Sequence, residues 1–361
     1  MRHMKKAYLV PNNGKIFEGT RIGAEGEGLG ELVFTTGMTG YLETLTDPSY
    51  AGQIIMHTFP LIGNYGVIPE DFEGASLAKG YVVRELCDTP SNFRSEYALD
   101  RFLKEHNIPG ICGVDTRALT RMIREEGVMN ALICDEVPAD LSPIRDYAVR
   151  GGVAMASCKR AQVFPSSGKE KYRVALLDYG AKHHIVESLQ ERGCRVMVLP
   201  HDSTAEDVLA LEPDGLMLSN GPGDPKENVF EIQQLKKLMG RLPIFGICLG
   251  HQILSLSYGA KTYKLKFGHR GGNHPIKNLS TDKIEITAQN HSYAVNLNSL
   301  QNAPLTATHI NLLDNTVEGV ECVHDRAFGV QDHPESAPGP QDSGYLFDRF
   351  ITLMEEAKRH A

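Results

Sequence analysis

Cys248 lies in the stretch GICLGHQ, residues 246–252, with a glycine two positions before it and another two positions after it. This is the layout of the nucleophile elbow Gly-x-Ser-x-Gly, with sulfur in place of oxygen, where flanking glycines relieve crowding at a sharp turn. The helical pattern that follows would direct its positive end at Cys248 and so favour thiolate over thiol. We predict a nucleophile here, with the backbone N–H of Leu249 placed to bind an oxyanion. The alternative is a small buried thiol.

A thiolate nucleophile needs a general base, and the base needs a group that orients it. The chain has 14 histidines, so position rather than residue type must identify the base. In FGVQDHPE, residues 328–335, Pro334 favours an extended backbone at His333. His333 and Glu335 then point to the same side, where the carboxylate can orient the imidazole. His251 is nearer to the nucleophile in sequence, but three residues into a helix it is predicted to point away from the turn.

A second glycine-containing turn, SNGPGDP, follows the strand-like run GLMLS. Gly221 and Gly223 stand on either side of Pro222 in this turn. Glycines let the backbone approach a ligand closely and present its N–H groups. We predict that this turn contributes to the same site; the alternative is an ordinary tight turn.

Strand-like runs alternate with helical patterns from Arg173 onward. The strands are RVALLDYG, CRVMVLP, GLMLS and PIFGI, and helical patterns such as AKHHIVESLQERG lie between them. A capping box of Ser203 and Glu206 is predicted to open the helix TAEDVLALEP. The alternation predicts a mostly parallel sheet with helices on both faces. Ligands of such sheets bind at the carboxyl ends of the strands, where both glycine-containing turns lie.

The first half of the chain is organised differently, since it is glycine-rich with short strand-like runs and two helical patterns. It predicts a β-rich α/β domain over residues 1–150. Periodicity then fails over residues 151–172, which predicts a linker before a second domain at residues 173–361. The helical pattern DTRALTRMIREEG carries a stripe of arginines that is either a solvated face or a contact surface for an acidic partner: Arg117, Arg121 and Arg124.

Composition and charge exclude several function classes. The 361 residues are ample for two domains, and the net charge is −8 with no lysine- or arginine-rich block. This argues against binding nucleic acid and against docking on an acidic membrane. No apolar run approaches the ~20 residues that span a bilayer, and the N-terminus has no signal-peptide pattern, so we expect a cytoplasmic protein. Seven cysteines without a C-x-x-C pair suggest neither a zinc knuckle nor a disulfide framework.

The motifs GICLGHQ, SNGPGDP and HPE, in this order, resemble those of the class I glutamine amidotransferases, which are Cys-His-Glu enzymes. Further stretches in both halves are similar to the family of small, glutamine-hydrolysing subunits of carbamoyl-phosphate synthetases. These stretches are GMTGYLETLTDPSYAGQIIMHTFPLIGNYGV, GVDTRALTRMIREEGVMN, LDYGAKHHIVESL and KFGHRGGNHPI. Because the match runs through nearly the whole chain, the first half makes this resemblance specific. The resemblance implies a class I amidotransferase domain after the N-terminal domain.

The resemblance also implies a role for each matching position. Cys248 would attack the side-chain amide of glutamine, His333 would shuttle the proton, and Glu335 would orient His333. The backbone N–H groups of Gly221 and Leu249 would form the oxyanion hole. The rest of the implied glutamine pocket draws on both halves of the chain: Ser49, Gly223, Gln252, Asn290, Ser292 and Tyr293.

The implied activity is hydrolysis of L-glutamine to glutamate and ammonia through a thioester on Cys248. Ammonia would pass to a large partner subunit that uses ATP and bicarbonate to make carbamoyl phosphate for arginine or pyrimidine synthesis. No metal or cofactor is expected in this chain, which fits the absence of a G-x-x-x-x-G-K-[ST] run. Two alternatives are a free-standing amidase or cysteine hydrolase and a regulatory subunit that has lost turnover.

The sequence departs from the family pattern at three positions. The family's QNHGF is here QNHSY, with Ser292 in place of glycine and Tyr293 in place of phenylalanine. Asp332 stands before the catalytic histidine, where the family normally has an aromatic residue. If the pocket needs a positive φ at Ser292, serine would cost about 1 kcal/mol or more. The Cys-His-Glu set is complete, so the enzymatic interpretation is retained.

Overall fold

The computed structural model describes residues 5–360 and, for His360, the backbone only. The chain divides between Arg150 and Gly151 into two compact units. Among the described residues, no helix combines the length and the apolar character that crossing a membrane requires.

Residues 5–150 of the first unit form nine strands and four α-helices. The strands are β1 (Lys6–Pro11), β2 (Phe17–Gly23), β3 (Gly28–Thr35), β4 (Gln53–His57), β5 (Leu61–Ile62), β6 (Gly80–Val83), β7 (Glu85–Leu86), β8 (Pro109–Cys112) and β9 (Met129–Cys134). The helices are α1 (Tyr41–Thr46), α2 (Leu99–Glu105), α3 (Thr116–Glu126) and α4 (Ser142–Arg145).

Seven of these strands close into a barrel in the order β1-β2-β8-β6-β4-β3-β9. The pairs β3–β4, β4–β6 and β6–β8 are parallel, and the remaining pairs are antiparallel. A buried cluster packs strand residues such as Val33 and Ile55 against Phe102 and Leu103 of α2. This mixed barrel with its helices is the β-rich α/β domain that the sequence predicts.

Helix α3 shows how the sequence determines both faces of an element. The Asp115 side chain accepts hydrogen bonds from the backbone N–H groups of Arg117 and Ala118, which caps the N-terminus of the helix. Leu119, Met122 and Ile123 are buried, as their helical spacing predicts. The stripe of arginines lies on the exposed side: Arg117, Arg121 and Arg124.

Over residues 151–360 the second unit forms six α-helices and ten strands. The helices are α5 (Gly152–Ala156), α6 (His183–Glu191), α7 (Ala205–Ala210), α8 (Val229–Leu238), α9 (Leu249–Ser257) and α10 (Tyr345–His360). The strands are β10 (Gln162–Phe164), β11 (Tyr172–Asp178), β12 (Cys194–Pro200), β13 (Gly215–Leu218), β14 (Ile244–Ile247), β15 (Thr262–Asn278), β16 (Ile284–Val295), β17 (Thr306–Asn311), β18 (Val317–Cys322) and β19 (Ala327–Val330).

The ten strands form one sheet in the order β10-β12-β11-β13-β14-β19-β18-β16-β15-β17. Its central part, from β12 to β19, is parallel. Strand β11 is covered on both faces: Ala175 and Leu177 belong to a core that includes α8 and α9, whereas Val174 and Leu176 belong to a core that includes α6 and α10. Two-sided burial explains why these strands are continuous apolar runs. Helices therefore flank the sheet on both faces, as predicted.

The sheet continues beyond β19 as antiparallel strands that sequence periodicity did not reveal. The longest are β15 and β16, which pair antiparallel with two register shifts, after Lys264 and after Gly271. The shifts interrupt the alternation of inward and outward residues, so the segment lacks a regular two-residue hydrophobic period.

Two local expectations differ from the structure. Residues 151–172, expected as a linker, contain helix α5 and the edge strand β10, which pairs antiparallel with β12. Elements this short give no detectable periodicity. The capping box of α7 is formed by Thr204 and Asp207, one residue after the predicted pair, because Thr204 holds the extended N-cap conformation.

Candidate active site

Four neighbouring parallel strands end at one edge of the second unit's sheet, in the order β11, β13, β14 and β19. The loop after β13 contains Gly221 and Gly223, and Cys248 follows β14 directly. His333 and Glu335 follow β19, which pairs with β14. The register of a parallel sheet thus gathers these residues, although Gly221 and Glu335 are 114 positions apart in sequence.

Cys248 adopts the strained turn that its neighbours in sequence predict. Its φ is 52° and its ψ is −103°, a backbone conformation that L-residues other than glycine rarely adopt. A Cβ atom on Gly246 would lie 2.7 Å from the carbonyl carbon of Gly250, so the strand and the helix can meet only without side chains there. The backbone N–H of Cys248 donates to the Val330 carbonyl oxygen at 2.8 Å, which ties the turn to β19. The elbow presents a buried thiol at the sheet edge.

His333 and Glu335 form a buried pair next to this thiol. Nδ1 of His333 lies 2.7 Å from Oε1 of Glu335, and both side chains are almost inaccessible to solvent. Burial opposes charge on the imidazole, but Glu335 and the Cys248 thiol outweigh it and raise the pKa of His333 well above its usual value. Glu335 therefore orients the ring through Nδ1, and Nε2 remains available to exchange a proton with the thiol.

Lys182 is a member of this site that sequence reasoning missed. Its Nζ donates to Oε1 of Glu335 at 2.8 Å and also to the carbonyl oxygen of Ala337. Burial would raise the pKa of Glu335, but the charges of Lys182 and His333 outweigh it and hold that pKa well below its usual range. The chain therefore keeps Glu335 ionised through a lysine that precedes α6. Its position in the loop between β11 and α6, at the sheet edge where the other site residues lie, was the available signal.

The glycine-containing loop after β13 lies against the start of α9. A Cβ atom on Gly221 would lie 2.3 Å from the carbonyl oxygen of Tyr179 and 2.8 Å from Cδ2 of Leu249. No other residue type fits at Gly221 without displacing the backbone. Gly223 has φ of +92° in the same loop. This close approach brings Gly221 and Leu249, the predicted oxyanion residues, side by side.

Strand β16 brings further predicted pocket residues to the thiol. The Cys248 thiol donates to the backbone carbonyl oxygen of Asn290 at 3.6 Å. Nε2 of Gln252 donates to the carbonyl oxygen of Tyr293 at 2.8 Å and to Oε1 of Gln331 at 2.8 Å. These contacts join α9, β16 and the segment after β19 around Cys248.

Ser292 causes no backbone strain. Seven non-glycine residues have positive φ among residues 5–360, and Ser292 is not one of them. Its hydroxyl oxygen accepts a hydrogen bond from Nη2 of Arg270 at 2.6 Å. Position 292 therefore does not have the positive φ at which a serine would destabilise the backbone.

Ser49 lies in the first unit, in a short 3₁₀ helix, Pro48–Tyr50. Its backbone N–H donates to Oδ1 of Asp47 at 2.8 Å, and the residue is buried. Its assignment to the glutamine pocket stays a prediction.

His251, the nearer histidine in sequence, is fully buried in α9. Burial lowers its pKa to about 3, so the ring is neutral. His251 thus belongs to the core under the elbow.

Asp332 is fully buried, and neither of its carboxyl oxygens has a hydrogen-bond partner within the described part of the chain. Burial raises the pKa of Asp332 to about 7. The carboxyl group is therefore largely protonated below neutral pH. It does not add a full negative charge beside His333, in contrast to the charge that a typical aspartate would carry.

Replacing Asp332 with asparagine should change how stability depends on pH. An aspartate in an unfolded chain ionises near pH 3.9, whereas the folded pKa is about 7. The folded state therefore holds the extra proton, and wild-type stability falls as pH rises toward 7. We expect the stability of Asp332→Asn, relative to wild type, to increase by about 2–3 kcal/mol from pH 5 to pH 8. Urea unfolding across this range measures it. The exposed Asp282→Asn is the control, and a difference that is independent of pH would contradict the buried ionisation.

The chain is similar to known proteins over both units. Residues 9–133 match the family described as carbamoyl-phosphate synthase small chain, CPSase domain, and residues 175–353 match glutamine amidotransferase class-I. The carbamoyl phosphate synthase small chain of Oceanobacillus iheyensis is 50% identical over 360 residues, which cover 98% of each chain. The corresponding protein of Bacillus cereus is 50% identical over 358 residues, 98% of this chain and 97% of the relative. The pyrimidine-specific small chain of Bacillus subtilis is 49% identical over 359 residues, with the same coverage.

Proposed function

The chain belongs to the family of carbamoyl phosphate synthase small chains, and from that premise we propose that it is the glutamine-hydrolysing subunit of such a synthase. The observation that carries the proposal is the thiol of Cys248, held at a strained elbow beside a histidine that a buried glutamate orients. Family membership confirms the resemblance inferred from the motifs. It does not favour the free-standing hydrolase, since the first unit has its own family match.

In the proposed reaction, the Cys248 thiolate attacks the side-chain amide carbon of glutamine. The negative charge that develops on the amide oxygen is stabilised by the backbone N–H groups of Gly221 and Leu249. His333, protonated at Nε2, gives its proton to the departing nitrogen, so that ammonia leaves and a γ-glutamyl thioester remains on Cys248. Water activated by the same imidazole then hydrolyses the thioester and releases glutamate. Glu335 holds the ring and stabilises its positive charge in both steps.

Glutamine is proposed to lie against α9 and β16. Gln252, Asn290, Ser292 and Tyr293 come from these two elements. The contact of Gln252 with the Tyr293 carbonyl oxygen and that of Cys248 with the Asn290 carbonyl oxygen support a shared pocket. We include Ser49 and Gly223 in the pocket on the strength of the resemblance.

Ammonia is proposed to pass to a large synthetase subunit. That subunit would use ATP and bicarbonate, so no cofactor and no catalytic metal are proposed for the hydrolysis itself. The first unit, with the exposed arginines of α3, is the proposed docking surface. The product would serve arginine or pyrimidine biosynthesis in the cytoplasm.

Trapping of the thioester tests the proposal. Wild-type protein mixed with labelled glutamine and quenched in acid should carry label on the peptide that contains Cys248. The label should be released by hydroxylamine, because a thioester is cleaved by it. Cys322→Ser, which changes a buried thiol on β18, is the matched control and should retain the label. Hydrolysis without a labelled peptide, or label on another peptide, would refute the thioester route.

A further inference from the structure

Three strands of the second unit bring two histidines and a glutamate together in the interior. His269 lies on β15, His291 on β16 and Glu318 on β18, and all three are buried. One nitrogen or oxygen from each residue lies within 4.8 Å of the others. We refer to these three residues as the histidine–glutamate cluster.

The two histidines direct unpartnered nitrogens into this cluster. Nδ1 of His269 and Nε2 of His291 are buried without hydrogen-bond partners in the described structure. The opposite nitrogen of each ring is held: Nε2 of His269 lies 2.9 Å from Oδ2 of Asp314, and Nδ1 of His291 lies 2.7 Å from the carbonyl oxygen of Tyr293. Histidines that bind metal ions are oriented in this way, with one N–H donated to a carboxylate or a carbonyl oxygen.

Hydrogen bonds also fix the orientation of the Glu318 carboxylate. Its Oε1 accepts from Nδ2 of Asn311 at 2.9 Å, and its Oε2 accepts from Nε2 of Gln289 at 2.9 Å. Its Oε1 also lies 3.5 Å from Nδ1 of His269. A buried carboxylate that is fixed by amide donors and faces two imidazole lone pairs is a donor set for a cation.

We propose that the histidine–glutamate cluster binds one divalent transition-metal ion, with Zn²⁺ as the best fit. Two imidazole nitrogens and one carboxylate oxygen match the ligands of zinc sites that keep a fourth, open position. Water or His274 would fill that position, since Nδ1 of His274 is likewise buried without a hydrogen-bond partner and its ring lies 5.2 Å from that of His269. Small side-chain movements would bring the donors to ~2.0–2.2 Å from the ion.

The ion would not touch the reacting atoms. Residues 289 and 291 alternate along β16 with residues 290 and 292, so the His291 side chain lies on the face of the strand opposite the side chains of Asn290 and Ser292. The extra residues of β15 lie on either side of His269, between Lys264 and His274. The proposed role of the metal ion is therefore to link the irregular part of β15 to β16 and β18.

A proton is the rival occupant of the cluster. Burial would lower the pKa of His269, but Asp314 and Glu318 outweigh it and raise that pKa to about 9. A protonated His269 between two carboxylates would satisfy the charges without a metal ion. Measurement of bound metal decides between the two occupants.

The experiment is metal analysis of the full chain. After treatment with a chelator, incubation with Zn²⁺ and dialysis, wild-type protein should retain one zinc per chain and unfold at a higher temperature than the chelated protein. Glu318→Gln and His269→Gln should lose this zinc. Asp314→Asn, which removes only the partner of a ligand, should weaken zinc binding by about 10- to 100-fold. Co²⁺ bound to wild-type protein should give the visible absorption of a four-coordinate ion, a readout that does not depend on how the variants fold.

Two control variants address other zinc-binding groups. Helix α6 carries an exposed set in which His183 and His184 both contact Glu187, so Glu187→Gln tests binding at the surface. Cys248→Ser tests binding at the active-site thiol. Both controls should retain the zinc. Failure of wild type to retain zinc, equal retention by Glu318→Gln, or loss in either control would overturn the proposal.

Discussion

Cys248→Ser is expected to abolish glutamine hydrolysis while ammonia-dependent synthesis by the assembled synthase continues. A serine hydroxyl is far less acidic than a thiol, so His333 cannot generate the nucleophile at neutral pH. Removal of a nucleophile that acts as a unit with its base typically costs several orders of magnitude, and we expect a loss of at least about 10³-fold in kcat. Added ammonia bypasses the step that the thiol serves. Glutamine- and ammonia-dependent rates, measured side by side, give the comparison.

The control for this variant is Cys158→Ser, which replaces a half-buried thiol elsewhere in the second unit. It should hydrolyse glutamine at nearly the wild-type rate. If Cys248→Ser retained a near wild-type rate, the thiol would have no part in the mechanism. If it lost both activities, the substitution would have damaged the assembly rather than the chemistry.

The elbow could be predicted because its causes are local. Gly246 and Gly250 are needed where the strand and helix backbones touch, and this requirement is visible in five consecutive residues. The pairing of His333 with Glu335 is equally local, since two positions separate them. Alternating apolar runs likewise predicted the parallel strands, because each strand is buried on both faces.

The features that could not be predicted from the sequence depend on contacts between residues that are far apart in the chain. Closure of the barrel joins β1 to β9, and no local pattern records that pairing. The register shifts of β15 erase the periodicity that would have revealed the antiparallel extension. The predicted cap of α7 was wrong by one residue. Ser203 and Thr204 are both good N-cap residues, and only the backbone conformation determines which of them caps the helix.

Lys182 illustrates the same limit inside the active site. Its partner Glu335 is 153 residues away, and a lysine that precedes a helix is common on protein surfaces. Only the fold places the ammonium group against the carboxylate, in an environment where both side chains are almost completely buried. A buried ion pair of this kind is expected to matter for function more than for net stability.

Lys182→Met is expected to reduce both catalytic activity and stability, because it leaves Glu335 as an uncompensated buried charge. Removing one partner of a buried pair typically destabilises a protein by about 3–5 kcal/mol. The pKa of Glu335, which Lys182 and His333 now hold well below its usual range, should rise. In wild type this depressed pKa contributes stability above about pH 4.3 that is lost only as pH falls toward the folded pKa. In the variant we expect the folded pKa to rise above the unfolded value, so that Glu335 binds a proton on folding near pH 5 but must ionise while buried at pH 8; the deficit should therefore be smaller at pH 5 than at pH 8.

The kinetic consequence distinguishes a positioning role from a structural one. A protonated Glu335 cannot stabilise the imidazolium form of His333, so kcat should fall and the acidic limb of the pH–rate profile should move to higher pH. Lys104→Met, which breaks an exposed ion pair with Asp100, is the control and should cost no more than about 1 kcal/mol without shifting the profile.

The double variant Lys182→Met/Glu335→Gln separates stability from catalysis. Neutralising the glutamate removes the buried charge, so stability should return toward wild type, whereas activity should stay low because the orienting carboxylate is gone. Stability that does not recover would mean that Lys182 acts mainly through Ala337 or through packing. If the pH–rate profile of Lys182→Met were unshifted, Glu335 would keep its charge without the lysine. His333 alone would then be sufficient to keep Glu335 ionised.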